Sequence, residues 1–166
     1  MSDRIDSLIQ NLKKKETLLE KLVLLLDEER DYIVDLDTDG LEVKRESKLQ
    51  LIAQLEKSKE ICKKALEEAA GELKVSSPLN LSAVLNAVPA ARREVLLKSQ
   101  RKLFELTDLL DRSNRFNRDL LYGSLSNVNR SLEFINRSLG RGVSTYSNAG
   151  SVVTGTPGGR LVRGEI

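Results

Sequence analysis

The residues whose spacing carries the sharpest chemical signature are acids: Asp35, Asp37 and Asp39, followed by Gly40 and then Glu46. The string satisfies the pattern D-x-D-x-D-G-x5-E, in which alternate side chains of a tight loop and one closing carboxylate surround a calcium ion between two helices. The same residues also suit an acidic turn in which Asp39 caps the second helix and Glu42 reaches back to complete a capping box. Glu42 stands where calcium loops usually carry an apolar side chain, and no second loop of this type exists to pair with it. The acidic turn is favoured, and a calcium-binding helical protein using Asp35 to Glu46 remains an alternative.

Other chemistry is sparse. The chain has no His, which removes imidazole-dependent metal sites and acid–base or nucleophilic schemes. Its single cysteine, Cys62, falls on an apolar helical stripe and is expected to act as a small hydrophobe. Gly155-Thr156-Pro157-Gly158-Gly159-Arg160 lacks the Lys-Ser/Thr ending and the strand-to-helix context of a phosphate loop. Arg112, Arg115 and Arg118 recur every third residue, but a net charge of +2 and 4 % aromatic content do not make a nucleic-acid footprint. No enzyme activity, cofactor, metal or nucleic-acid partner is expected. The polar N-terminus and the short apolar runs, the longest being Leu22 to Leu26, predict a soluble cytoplasmic protein without membrane insertion.

The elements that must carry these residues are helices. At 166 residues, with 31 % charged residues and no Trp, the composition suits an all-α bundle. From Ile5 the seam reads Ile5, Leu8, Leu12, Lys15, Leu19, Leu22, Leu26, Glu29, Ile33, Leu36, in alternating steps of three and four. A second seam reads Leu41, Arg45, Lys48, Ile52, Leu55, Lys59, Cys62, Leu66, Ala69, Leu73. Folding back at Asp37 to Gly40 sets Leu36 against Leu41, Leu26 against Ile52, Leu22 against Leu55 and Leu12 against Leu66. It also sets Glu29 against Lys48, so the two seams predict a long antiparallel helical hairpin in one register.

Pro78 ends the second helix, and Leu81, Val84, Leu85 and Val88 supply a short helix read as a lid or elbow. Pro89 fits the first turn of a longer C-terminal helix from Arg92 to Leu139. The expected domain organisation is a helical bundle over residues 1–140 and a flexible tail over residues 141–166. Seven of the ten glycines lie from Gly140 to Gly164, and with Ser, Thr and Asn they rule out a regular helix there.

The hairpin arms, about 32 residues each, span roughly 48 Å, whereas the last helix, about 48 residues, spans roughly 72 Å. An elongated bundle follows in which the end of that helix outruns its partners. Leu125, Val128, Leu132, Phe134, Ile135 and Leu139 then form an uncovered apolar stripe, the usual mark of a partner surface. Packing of the stripe on the short helix, or on a second copy in a homodimeric coiled-coil scaffold, is the plainer alternative. Between Leu106 and Val128 the apolar steps become 4-4-3, which puts Asn114 and Asn117 on the seam, where two amides need partners.

Three places carry a family resemblance: Glu29 with Lys48-Leu49-x-Leu51 across the hairpin, Asn114-x-x-Asn117-x-x-Leu120-Leu121 on the last helix, and Thr145-Tyr146-x-x-x-Gly150 leading to Gly158-Gly159-Arg160. In this layout the chain resembles the FlgN-type chaperones of the flagellar type III export system. The resemblance implies a cytoplasmic chaperone that binds the C-terminal helical region of unassembled hook-filament junction proteins, prevents their premature assembly and delivers them to the export gate in the membrane. It implies a client site on the C-terminal part of the chain, with Asn114, Asn117 and the stripe Leu121, Leu125, Val128, Leu132, Ile135 and Leu139. It also implies that Tyr146 is the gate-docking residue of the tail.

Overall fold

A computed structural model describes residues 3–75, 80–139, 144–146 and 152–154. Four helices, α1 (Asp3–Asp35), α2 (Thr38–Glu72), α3 (Leu81–Ala87) and α4 (Ala90–Ser138), precede two short strands, β1 (Ser144–Tyr146) and β2 (Val152–Thr154). The chain divides into two compact units, Met1–Arg118 and Asp119–Ile166, with α4 contributing to both.

In the first unit α1 follows its seam closely. Ile5, Leu8, Leu12, Leu19, Leu22, Leu26 and Ile33 are buried, joined by Leu25, and Asp3 and Asp6 sit in the first turn, where carboxylates complement the helix dipole. The seam stops one member early. Leu36 adopts φ 55 and is 55 % exposed, because it is the residue that terminates α1. The Asp37 N–H closes back on the Tyr32 carbonyl at 3.0 Å, the pattern of a left-handed helix ending. The expected Leu36–Leu41 pair is therefore not a core contact. The same device ends α2, with Lys74 at φ 53 and the Val75 N–H on the Ala70 carbonyl at 2.9 Å.

α2 runs antiparallel to α1, as Lys48 on Glu29 and Arg4 on Glu68 require. Its buried positions are smaller than its seam predicts: Ser58, Cys62, Ala65, Ala69 and Ala70, whereas Ile52 is 41 % exposed. Small side chains on the last turns of α2 leave room for α3. Val84, Leu85 and Val88 fill that room, packing in one core with Ile5, Leu8, Ala69 and Leu96. The short helix is thus a core element at the open end of the hairpin, not a lid over it. Asn80 caps its start, accepting from the Ala83 N–H at 2.8 Å. Arg93 caps its end, donating to the carbonyls of Leu85 (2.8 Å), Asn86 (3.2 Å) and Val88 (3.3 Å).

Pro89 lies one residue before α4, and its carbonyl accepts from the Arg92 and Arg93 N–H groups, so it occupies the cap position and not the first turn. Up to Arg118, α4 runs parallel to α1, as the pairs Arg92–Asp6 and Lys102–Glu20 and the Asn117–Glu29 hydrogen bond require. Leu96, Ser99, Leu106, Ser113 and Asn117 are buried, with Leu103 and Leu110 half-buried between them. The steps of three and four therefore continue unbroken through Ser99 and Ser113. The expected 4-4-3 spacing from Leu106 arose from passing over Ser113, a small polar residue at a covered position.

In the second unit α4 continues to Ser138, and β1 pairs antiparallel with β2, Tyr146 opposite Val152. The tail thus contains a two-stranded ladder.

Candidate functional site

The acidic turn does not form a cation loop. Helix α2 begins at Thr38, so most of the string from Asp35 to Glu46 is helical. The cap is Asp37, not Asp39: its Oδ1 accepts from the Gly40 N–H at 2.9 Å. Glu42 pairs with Arg45 at 2.7 Å instead of closing a capping box. The glycine has its own reason. A Cβ on Gly40 would collide with the Tyr32 ring and stand 2.9 Å from the Asp37 carboxylate, so the position is reserved for the close approach of Tyr32. Lys44 lies over the same ring at 5.7 Å and bonds Glu28, which raises its pKa above the ordinary lysine value. Among the described residues, no three Cys, Asp or Glu side chains converge as metal ligands.

The predicted Glu29–Lys48 pair is present, and it is the centre of a polar layer. The Lys48 ammonium donates to both Glu29 oxygens, at 3.0 and 3.1 Å, and to Asn114 Oδ1 at 3.3 Å. Asn117, 3 % exposed, donates from Nδ2 to the Leu26 carbonyl at 2.7 Å and to Glu29 Oε2 at 2.9 Å. Its Oδ1 accepts from Arg30 Nε at 3.2 Å, and the Arg30 guanidinium lies 4.9 Å from the Phe116 ring centre. Each partly buried charge in this layer has an opposite charge and at least one amide, the condition under which such groups are tolerated. Asn114 and Asn117 thus find their partners inside the first unit. Arg30 was missed from sequence; its signal was only its position beside Glu29.

The rest of the chemistry is structural. Cys62 is buried, which pushes its thiol pKa up, and the nearby Ser58 hydroxyl only partly offsets this. Arg112 and Arg115 pair with Asp108 and Asp111 one turn earlier on α4, both at 2.9 Å. An open groove of about 460 Å3, lined by Leu81, Leu103 and Phe104 with Asp108 and Asp111, gathers no reactive constellation.

In the second unit, Leu121, Leu125, Val128, Leu132, Ile135 and Leu139 are 39 % to 63 % exposed. They form one stripe, since their steps of three and four keep them on one face of α4. Six open aliphatic side chains on one helical face form a contiguous exposed apolar stripe. Val84, Leu85 and Val88 of the short helix are already packed in the core of the first unit. The backbone of Tyr146 lies in β1. Its side chain, and the tail residues Gly150, Gly158, Gly159 and Arg160, lie outside the described residues. Among the described residues, no helix is long and apolar enough to cross a membrane.

A family model described as FlgN protein matches residues 1–154. No curated protein and no solved structure matches the chain.

Proposed function

This chain belongs to the FlgN family of flagellar export chaperones, and from that premise we propose that its clients are unassembled hook-filament junction proteins, held through their C-terminal helical region. The open stripe from Leu121 to Leu139 is the observation that carries this reading. An amphipathic client segment laid along it removes apolar surface of both partners from water, at about 25 cal/mol per Å2 before ordering costs are subtracted. The client segment, so covered, cannot enter the contacts it makes in the assembled filament. The chaperone works in the cytoplasm and hands the client to a membrane component of the export gate, with Tyr146 as the docking residue. Asn114 and Asn117, bonded to Glu29, Lys48 and Leu26, contribute by fixing the register of α4.

Capture of purified junction proteins by the full chain and by a chain ending at Leu120 tests the proposal. Retention by the full chain alone is expected. Equal retention by both chains removes the stripe as the client site, and retention of nothing but a second copy of the chain replaces the chaperone reading with a homodimer.

A further inference from the structure

The glycine that Tyr32 requires follows Asp39 directly. An aspartate before a glycine is a chemically vulnerable junction, because glycine has no side chain to keep its backbone nitrogen away from the neighbouring carboxyl group. The Gly40 nitrogen attacks Cγ of Asp39 and an N–Cγ bond forms. The amide proton and the carboxyl hydroxyl leave together as water, and a succinimide ring remains. Water then reopens the ring. Addition at Cγ restores aspartate, whereas addition at the main-chain carbonyl breaks the original link and routes the chain through the side chain, as isoaspartate. No oxidant, reductant or cofactor enters. Asp39-Gly40 is the only Asp-Gly pair in the sequence, which contains no Asn-Gly pair.

The folded turn withholds what that attack needs. Asp39 and Gly40 lie in the first turn of α2, where the helical main chain of Asp39 is kept from the rotation that swings the Gly40 nitrogen onto Cγ. The Gly40 N–H donates to Asp37 Oδ1 at 2.9 Å, so its proton is engaged. On the far side of the peptide, the Leu41 N–H donates to the Asp37 carbonyl at 3.0 Å. The Tyr32 ring lies so close to Gly40 that the glycine cannot turn without displacing it. We propose that Asp39–Gly40 is the chain's site of spontaneous isoaspartate formation, and that the Asp37 cap sets the rate by holding the first turn of α2 closed. Reaction then proceeds only through local opening of that helix end, where Asp37, Thr38 and Asp39 are exposed. Isoaspartate lengthens the main chain within the turn, so the Leu41 N–H no longer meets the Asp37 carbonyl and the turn does not close again. The acid that stands among the calcium-like ligands in the sequence serves as the protecting group of the glycine beside it.

The test incubates the full chain at neutral pH for several weeks, folded and in guanidinium chloride, and locates isoaspartate by fragmentation mass spectrometry. In denaturant, residue 39 is expected to lead every other aspartate. The folded wild type is expected to react there at least about tenfold more slowly, since the closed turn is the unreactive state. D37A is expected to react about fivefold faster than the wild type, the change in turn opening that loss of a cap brings. D37S keeps an oxygen that accepts from the Gly40 N–H and is expected to stay within about twofold of the wild type. Isoaspartate at the other aspartates should be the same in all three proteins, which separates opening of this turn from unfolding of the whole chain. Equal rates in the folded and denatured wild type overturn the proposal, as does a leading site elsewhere. So does D37S reacting as fast as D37A, or a rise in D37A spread over all the aspartates. A D37A that reacts no faster than the wild type also overturns it, and a slower one would show the Asp37 carboxylate drawing the proton off the nitrogen instead of protecting it.

Discussion

Lys48 Nζ stands 3.0 and 3.1 Å from the two carboxylate oxygens of Glu29, joining α2 to α1 at the one level where both seams are polar. The pair is mostly shielded from water, with side-chain exposures of 24 % and 14 %, and it is completed from α4 by Asn114 and Asn117. All three long helices of the first unit are therefore registered against one another in a single layer. Slipping α1 against α2 leaves a shielded charge without its counter-charge, and slipping α4 leaves the pair without its amides.

Reversing one member of the layer exposes its cost. Glu29→Lys sets two ammonium groups together and should destabilise the protein by about 3–5 kcal/mol, the range for breaking a buried pair. Adding Lys48→Glu should recover part of this, because the amides of Asn114 and Asn117 can turn to serve either sign. Thermal melts of the two single variants and the double variant form the cycle, and a double variant no better than the worse single one contradicts the registering role.

At the turn, Gly40→Ala should cost about 1–2 kcal/mol, because the added methyl meets the Tyr32 ring and the Asp37 cap. Tyr32→Ala in the same background should relieve most of the clash, which a turn strained for other reasons would not show. Since Asp37 is engaged as a helix cap, millimolar calcium should leave the melting temperature unchanged. A calcium-dependent rise in melting temperature would show that the carboxylates regroup around the ion.

On the stripe, Leu125→Glu with Leu132→Glu should abolish client binding and shift the melting transition by no more than about 0.5 kcal/mol equivalent, as for substitutions at exposed positions. Calorimetric titration with a junction protein, beside a melt of the free variant, reads both quantities. A clear loss of stability in the free protein would mean that the stripe is covered in solution.

Cys62 offers a probe of the core. Burial raises its thiol pKa, so at a given alkaline pH the folded protein holds less thiolate than the unfolded chain. Alkylation at mildly alkaline pH should be slow in the native protein and rapid in denaturant, and the native rate should follow the unfolding equilibrium. Equally fast labelling in both states would place the thiol at the surface.

Much of this was written in local pattern. The seam of α1, the hairpin turn, the pairing of Glu29 with Lys48 and the exposure of Leu121 to Leu139 all follow from steps of three and four and from helix length. Those are properties of a helix by itself, together with the complementarity of two neighbouring ones. What tertiary structure decided is what lies opposite each stripe. Ser113 and Ser99 are covered because α4 lies against the hairpin there, and a serine in a stripe does not announce whether a helix faces it. Ala65, Ala69 and Ala70 became the socket for α3 because small side chains create space that only a third element can fill. Asn117 reads the same on paper whether it meets a client or the Leu26 carbonyl; three-dimensional packing assigned it to Leu26, since the partner lies ninety-one residues away in the chain. Periodicity reports that a face is to be covered, and only the folded chain determines what covers it.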